Sequence, residues 1–111
     1  MPWFIKTESF TQETLQLLPE ERQEFIKKHK QWVISLKNLG QKVSSGYLVN
    51  EKKIPGGGGL LIVEAKSFAE AKLLIEKDPM IVYGLVNWKL HQWMPTVGDF
   101  SINSSPRVGI H

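Results

Sequence analysis

Glu24-Phe25-Ile26-Lys27-Lys28-His29-Lys30-Gln31-Trp32 is the stretch from which the fold of this chain can be worked out. Its large side chains recur at three- and four-residue spacing, and the spacing continues through Leu36 and Leu39. This period predicts an amphipathic helix. Its start is expected near Pro19, which a first helical turn tolerates, and Gly40 is typical of a C-terminal cap.

Strands and a second helix are predicted on either side of this first helix. Alternation, together with β-branched and aromatic residues, predicts strands over residues 3–8, 42–49, 60–65 and 86–94. Ser67-Phe68-Ala69-Glu70 has the pattern of a capping box and predicts a helix that runs to about Lys77. Four consecutive glycines, Gly56 to Gly59, predict a mobile loop between the second and third strands.

The order strand, helix, strand, strand, helix, strand predicts an α+β fold of the ferredoxin-like plait type. Two right-handed crossovers then give an antiparallel four-stranded sheet with both helices on one face. One domain is expected over residues 1–98, with a loose tail at 99–111. Neither side of the last strand is purely polar, so the bare face of the sheet is expected to pack against a second subunit in a homodimer.

Composition excludes several classes of site and partner. The chain has 111 residues, no cysteine and a formal charge of +3, with its lysines dispersed. Without cysteine there is no disulfide framework, thiolate metal site or cysteine nucleophile, and the three histidines lack metal-ligand spacing. The third strand lacks the aromatic pattern of an RNA-binding plait, so no nucleic-acid partner is expected. No signal peptide, membrane-length apolar stretch or cofactor motif is found, and a cytoplasmic protein without metal or cofactor is expected.

His29 is the first candidate for chemistry. On a helix it shares the face of Phe25, Trp32 and Leu36, which is expected to point toward the sheet. A buried imidazole needs a hydrogen-bond partner. It is then either a structural histidine, satisfied by a carbonyl group or water, or a general acid or base in a pocket between helix and sheet.

Asp78 also has two interpretations. With Pro79 it can cap a short following helix, which would account for its presence at the end of the second predicted helix. Alternatively it turns inward and holds one nitrogen of His29, fixing the tautomer as the orienting member of a catalytic triad does. Spacing in the sequence does not decide between the two.

Ser44, Ser45 and Gly46 form a third group. Adjacent residues of a strand point to opposite faces, so one serine is expected on the side covered by the helices. Its hydroxyl would orient a polar ligand, although Ser-Ser-Gly in a strand is also compatible with a bulge or plain packing.

Several motifs match a known family in order and spacing: His29 with Trp32, Ser44-Ser45-Gly46-Tyr47, the glycine-rich turn, residues 67–71, Asp78-Pro79 and the strand 88–93. Over about residues 1–98 the chain thus resembles the YCII-related (YciI-like) family, small ferredoxin-like proteins that dimerise as α+β barrels. The resemblance implies a His–Asp active site, here His29 and Asp78, and a pocket near Ser45 and Gly46. It also implies an enzyme, because most members look like enzymes without a known reaction and at least one relative is a dehydrochlorinase of a chlorinated hydroxyquinol.

The resulting hypothesis is a small lyase- or isomerase-like enzyme in which His29 shuttles a proton and Asp78 orients it. The expected substrate is a small compound, aromatic compounds included, lined by Trp32 and Phe4 with contributions from Ser45 and Gly46. The alternative is a non-catalytic module that binds a small ligand or a second subunit. A structure distinguishes the enzyme from the module: the enzyme requires the His29 and Asp78 side chains to meet beside a cavity, and the module does not.

Overall fold

The computed structural model describes residues 1–98, and the tail predicted at 99–111 lies outside the described residues. The elements follow in the order β1 (Trp3–Phe10), α1 (Gln12–Leu15), α2 (Pro19–Asn38), β2 (Val43–Val49), β3 (Pro55–Glu64), α3 (Phe68–Ile75), α4 (Pro79–Val82) and β4 (Val86–Trp93). The predicted order of strands and long helices is confirmed. The helices α1 and α4, of four residues each, were not predicted as separate helices in the element order.

The four strands form one antiparallel sheet in the order β2-β3-β1-β4. β1 is a central strand, since it pairs with β3 on one side and β4 on the other. Phe4 lies opposite Val63 of β3, and Lys6 lies opposite Leu90 of β4. This topology confirms the α+β plait that the element order predicts.

The helix α2 begins and ends where the sequence predicts. At its start the Glu21 carboxylate accepts a hydrogen bond of 3.1 Å from the Leu18 N–H. At its end Gly40 has a φ of 88°, and its N–H donates to the Lys37 carbonyl at 2.9 Å. Gly40 therefore caps the helix in the left-handed conformation that glycine adopts at little cost.

The core lies between the helices and one face of the sheet. Along β1, Phe4 and Lys6 are buried while Ile5 and Thr7, on the opposite face, are not. The buried apolar cluster consists of Phe4, Leu36, Val43, Leu61, Val63, Ala65, Ala71 and Ile75. Each fully buried large side chain of this kind stabilises the fold by roughly 1.5–3 kcal/mol.

The loop predicted at the four glycines is wrong, because Gly56 to Gly59 belong to β3. At two of these glycines the strand approaches its neighbours too closely for a side chain: a Cβ on Gly57 would lie 2.8 Å from Leu48 Cβ, and one on Gly58 would lie 2.3 Å from the Glu8 carbonyl oxygen. Close packing of three backbones thus overrides the low strand propensity of glycine. Beside it, the register of β2 shifts between Tyr47 and Val49.

Two other predicted boundaries move by two residues, and the remaining strand ends differ by at most one. β1 continues to Phe10 instead of ending at residue 8, because its pairing with β4 extends to Val86. The second predicted helix ends at Ile75, two residues early, because Asp78 begins a new helix at Pro79.

Candidate active site

His29 and Asp78 meet under α2. The Nδ1 atom of His29 lies 2.9 Å from Oδ1 of Asp78, although the two residues are 49 positions apart in sequence. Oδ1 also accepts a hydrogen bond of 3.0 Å from the Met80 N–H, so that Asp78 is the N-cap of α4. The cap and the inward contact, which the sequence leaves as alternatives, occur together on one carboxylate.

Lys6 and Glu8 extend this contact, and the sequence analysis did not identify either as a site residue. Lys6 Nζ donates to Asp78 Oδ2 at 2.9 Å and also to the Glu8 carboxylate. The side chains of Lys6 and Asp78 are 1% and 0% exposed. The alternation of the first strand could have indicated them. Residues two apart in a strand share a face, so Phe4, Lys6 and Glu8 all point toward the helices.

The charges around Asp78 keep it ionised. Burial by itself would raise the pKa of the Asp78 carboxyl, but the hydrogen bond from His29 and the positive charge of Lys6 outweigh it. The pKa of Asp78 therefore lies below its ordinary value. An ionised carboxylate can only accept hydrogen bonds, so the proton of neutral His29 is on Nδ1 and Nε2 carries the free lone pair.

Ser45 occupies that lone pair. Its Oγ lies 2.8 Å from His29 Nε2 and donates its hydroxyl proton to that nitrogen when Nδ1 holds the imidazole proton. Ser45 pairs with the buried Leu61 and therefore faces the helices, whereas Ser44 points to the other face of the sheet. The prediction that one of the two serines reaches the helix-covered side is confirmed.

Ser45 also lines a shallow hollow of about 230 Å³ at β2 and β3. Gly46 lines the same hollow and is exposed. The His29 side chain is 15% exposed, so that solvent reaches the edge of the imidazole. Gly46, Leu60 and Ile62 line this hollow from the sheet face opposite the helices, so the hollow does not open beside the His29–Asp78 pair. The pair meets solvent through the exposed Ser45 and the edge of the imidazole.

Trp32 and Phe4 occupy different environments. The Trp32 ring lies one helical turn from His29, with 5.9 Å between ring centroids and an interplanar angle of 42°. Phe4 is fully buried in the core and meets the edge of Phe68 at 6.0 Å. Trp32 is thus a neighbour of the imidazole, whereas Phe4 packs in the apolar layer beside Lys6.

Metal and membrane features are not found in the described part of the chain. Within residues 1–98, no group of three or more His, Cys, Asp or Glu side chains is arranged to hold a metal ion. Among the helices of the same residues, none is long and apolar enough to cross a bilayer.

Residues 3–93 match the YCII-related domain, and the chain therefore belongs to the YCII-related family. The resemblance seen in the sequence is confirmed by this match. No curated protein sequence matches the chain.

Solved structures with a fold similar to this one include those of two proteins. The first is 5-chloro-2-hydroxyhydroquinone dehydrochlorinase (TftG) from Burkholderia phenoliruptrix AC1100, in complex with 2,5-dihydroxybenzoquinone: its TM-score is 0.62 and its identity 22%, over 83% of this chain and 93% of that chain. The second is At3g17210 from Arabidopsis thaliana, with a TM-score of 0.51 and 19% identity over 90% of this chain and 100% of that chain. At these identities the likeness concerns the fold.

Proposed function

We propose that this YCII-related protein is a small enzyme of lyase- or isomerase-like chemistry, in which His29 moves a proton and Asp78 orients the imidazole. The observation that carries the proposal is the 2.9 Å contact between His29 Nδ1 and Asp78 Oδ1. This distance lies within the range required of a general base and its orienting group.

The proton would be taken up at His29 Nε2. A substrate that displaces the Ser45 hydroxyl from Nε2 would give its proton to that nitrogen, and the imidazolium formed would be stabilised by Asp78. Return of the proton to another substrate atom completes an isomerisation. If instead the substrate electrons expel a leaving group, the proton goes to solvent and the reaction is an elimination.

The substrate would be a small compound, aromatic rings included. Trp32 offers an aromatic surface next to the imidazole, and the exposed Ser45 places its hydroxyl 2.8 Å from His29 Nε2. A binding role for Gly46 would require a substrate that reaches around the edge strand β2, since Gly46 lies on the opposite sheet face. A binding role for Phe4 would require movement, since its side chain is fully buried. The fold shared with a dehydrochlorinase of a hydroxylated aromatic ring supports this choice of substrate class.

We propose in addition that the protein is a homodimer joined through the sheet face opposite the helices. This face carries Trp3, Ile5, Leu60, Ile62 and Trp93, which are partly buried in one chain. A contiguous apolar surface of this kind marks an interface. The cytoplasmic location expected from the sequence stays a prediction.

The enzyme proposal is tested by turnover of hydroxylated and halogenated quinols, beginning with 5-chloro-2-hydroxyhydroquinone, together with solvent deuterium incorporation into each compound. His29→Ala is expected to lower kcat about 100- to 10,000-fold, the usual contribution of a general base. Asp78→Asn is expected to abolish most turnover as well. Gln31→Ala, an exposed position on the same helix, is the control and is expected to react as the wild type does.

Unchanged turnover in both site variants would reject the assigned roles. Thermal-shift measurements with the same compounds distinguish the non-catalytic module. Stabilisation of both the wild type and His29→Ala by a compound, with neither turnover nor deuterium incorporation anywhere in the series, would replace the enzyme by a ligand-binding protein.

A further inference from the structure

Lys6 is a buried cation that the proposed proton transfer does not by itself require. Its side chain is 1% exposed, and Nζ contacts two carboxylates, those of Asp78 and Glu8. Lysine is almost never fully buried unless it is paired, and a buried ion pair is often no more stabilising than apolar residues of the same volume. Stability alone therefore does not account for a lysine in this position.

We infer that Lys6 is a positioning residue of the site: it holds Oδ2 of Asp78, so that Oδ1 remains directed at His29 Nδ1. The hydrogen bonds of Lys6 in the described part of the chain go to Asp78 and Glu8, so its effect on the imidazole passes through Asp78. The inference deepens the proposed function and, in its kinetic part, rests on it.

The hydrogen bonds divide the Asp78 carboxylate between two roles. Oδ1 receives the Met80 N–H at 3.0 Å and faces His29 at 2.9 Å, while Oδ2 receives Lys6 at 2.9 Å. Rotation of the carboxylate would break contacts at both oxygens at once. Lys6 thus fixes the orientation from the side that the cap and the imidazole leave free.

Among the charged side chains around Asp78, Lys6 is the lysine that pairs directly with its carboxylate. From β1 the charged groups on this face are Lys6 and Glu8, and from α2 the titratable group in contact is His29. β2 contributes the neutral Ser45 and, further along the same face, the exposed Tyr47, while β4 contributes Trp88 and Leu90. Lys28 of α2 lies instead over the rings of Phe25 and Tyr83.

The test compares Lys6→Gln with Glu8→Gln. Glutamine at position 6 keeps a hydrogen-bond donor of similar length and removes the charge. Glu8→Gln removes the outer carboxylate and leaves Lys6 to Asp78 alone. Two readouts are recorded for each variant: the pH titration of the Asp78 carboxyl carbon by NMR, and the pH profile of kcat/KM.

In Lys6→Gln the Asp78 titration and the acid limb of the profile are both expected to move to higher pH, because the ionised carboxylate has lost its cation. We expect kcat to fall at least about tenfold near the acid limb, with KM changed less than about threefold. In Glu8→Gln neither curve is expected to move upward. A Lys6→Gln titration that superimposes on the wild type, or an equal upward shift in Glu8→Gln, would overturn the inference.

Folding and function are kept apart by two further measurements. If Lys6→Gln does not fold, the double variant Lys6→Gln with Glu8→Gln restores the net charge of this cluster, and its Asp78 titration is still expected to move upward. The NMR readout needs no substrate. A shifted Asp78 titration without any turnover would support the role of Lys6 and reject the proposed enzyme. Turnover together with an unshifted Asp78 titration would support the enzyme and reject the role of Lys6.

Discussion

Replacing Asp78 by asparagine is expected to cost stability as well as activity. Asparagine keeps a carbonyl oxygen for the Met80 N–H, so the cap of α4 survives. Its amide group, however, cannot accept hydrogen bonds from both Lys6 and His29. Lys6, at 1% exposure, is then left with the Glu8 carboxylate alone.

The expected loss follows from this burial. Breaking a buried ion pair by removing one partner costs about 3–5 kcal/mol. Because Glu8, at 13% exposure, still neutralises Lys6, the loss for Asp78→Asn is expected to be smaller, about 2–4 kcal/mol. With a typical free energy of unfolding of roughly 5–15 kcal/mol for a domain, the variant is expected to remain folded.

Urea unfolding at pH 7, followed by the fluorescence of the four tryptophans, measures this loss. Protein concentration is held constant, since association would contribute to stability. Glu76→Gln, an exposed carboxylate near the end of α3, is the control and is expected to change the free energy of unfolding by less than about 0.5 kcal/mol. A loss below about 1 kcal/mol for Asp78→Asn would refute the argument that the buried charge is held by Lys6.

The same reasoning fixes the sign of the pH dependence. The pKa of Asp78 is lower in the folded protein than in the unfolded chain, so its contribution is present above the unfolded pKa of about 3.9 and is lost as the pH falls through the folded value. The free energy of unfolding of the wild type is therefore expected to fall more steeply below about pH 4 than that of Asp78→Asn. Parallel pH profiles of the two proteins would contradict this assignment.

Two further predictions concern the sheet. Gly58→Ala is expected to lower the free energy of unfolding by more than about 2 kcal/mol, because the new Cβ would lie 2.3 Å from the Glu8 carbonyl oxygen at a φ of 89°. Gly46 has open space around it, and Gly46→Ala is expected to change that free energy by less than about 0.5 kcal/mol. Equal urea midpoints for the two variants would refute this prediction. Sedimentation equilibrium at micromolar concentration is expected to give the mass of two chains for the wild type and for Ile34→Lys, and of one chain for Ile62→Lys on the opposite sheet face. A single-chain mass for the wild type would reject the dimer.

The local parts of the fold could be predicted because their causes are local. The period of α2, its Gly40 cap and the Ser67 N-cap depend on residues within a few positions of one another, and these predictions are confirmed, although of the two capping-box bonds the structure shows the one from the Glu70 N–H to Ser67 Oγ. The strand through Gly56 to Gly59 could not be predicted in this way. Its cause is the approach of β1 and β2 from elsewhere in the chain, which leaves no room for a Cβ at Gly57 and Gly58, while the space around Gly56 is open.

The residues His29, Asp78 and Ser45 of the candidate site could be predicted from the sequence, but the contacts between their side chains could not. The helical face of His29 follows from the sequence, but its contact with Asp78 depends on how α2 lies over the turn that joins α3 to α4. Lys6 was missed although strand alternation places it beside Phe4. A lysine is normally assigned to solvent, and the carboxylates of Asp78 and Glu8 offset the cost of burying this one.

Asp78 shows why two interpretations of one residue need not exclude each other. A carboxylate has two oxygens and about four acceptor positions, so capping Met80 leaves room for His29 and Lys6. The short-range contact is encoded by Asp-Pro and holds the backbone at the start of α4. The contact with Met80, two residues along the chain, fixes the position of the Asp78 carboxylate to which His29 bonds. The cap is therefore part of the reason that the histidine finds its carboxylate in a defined place.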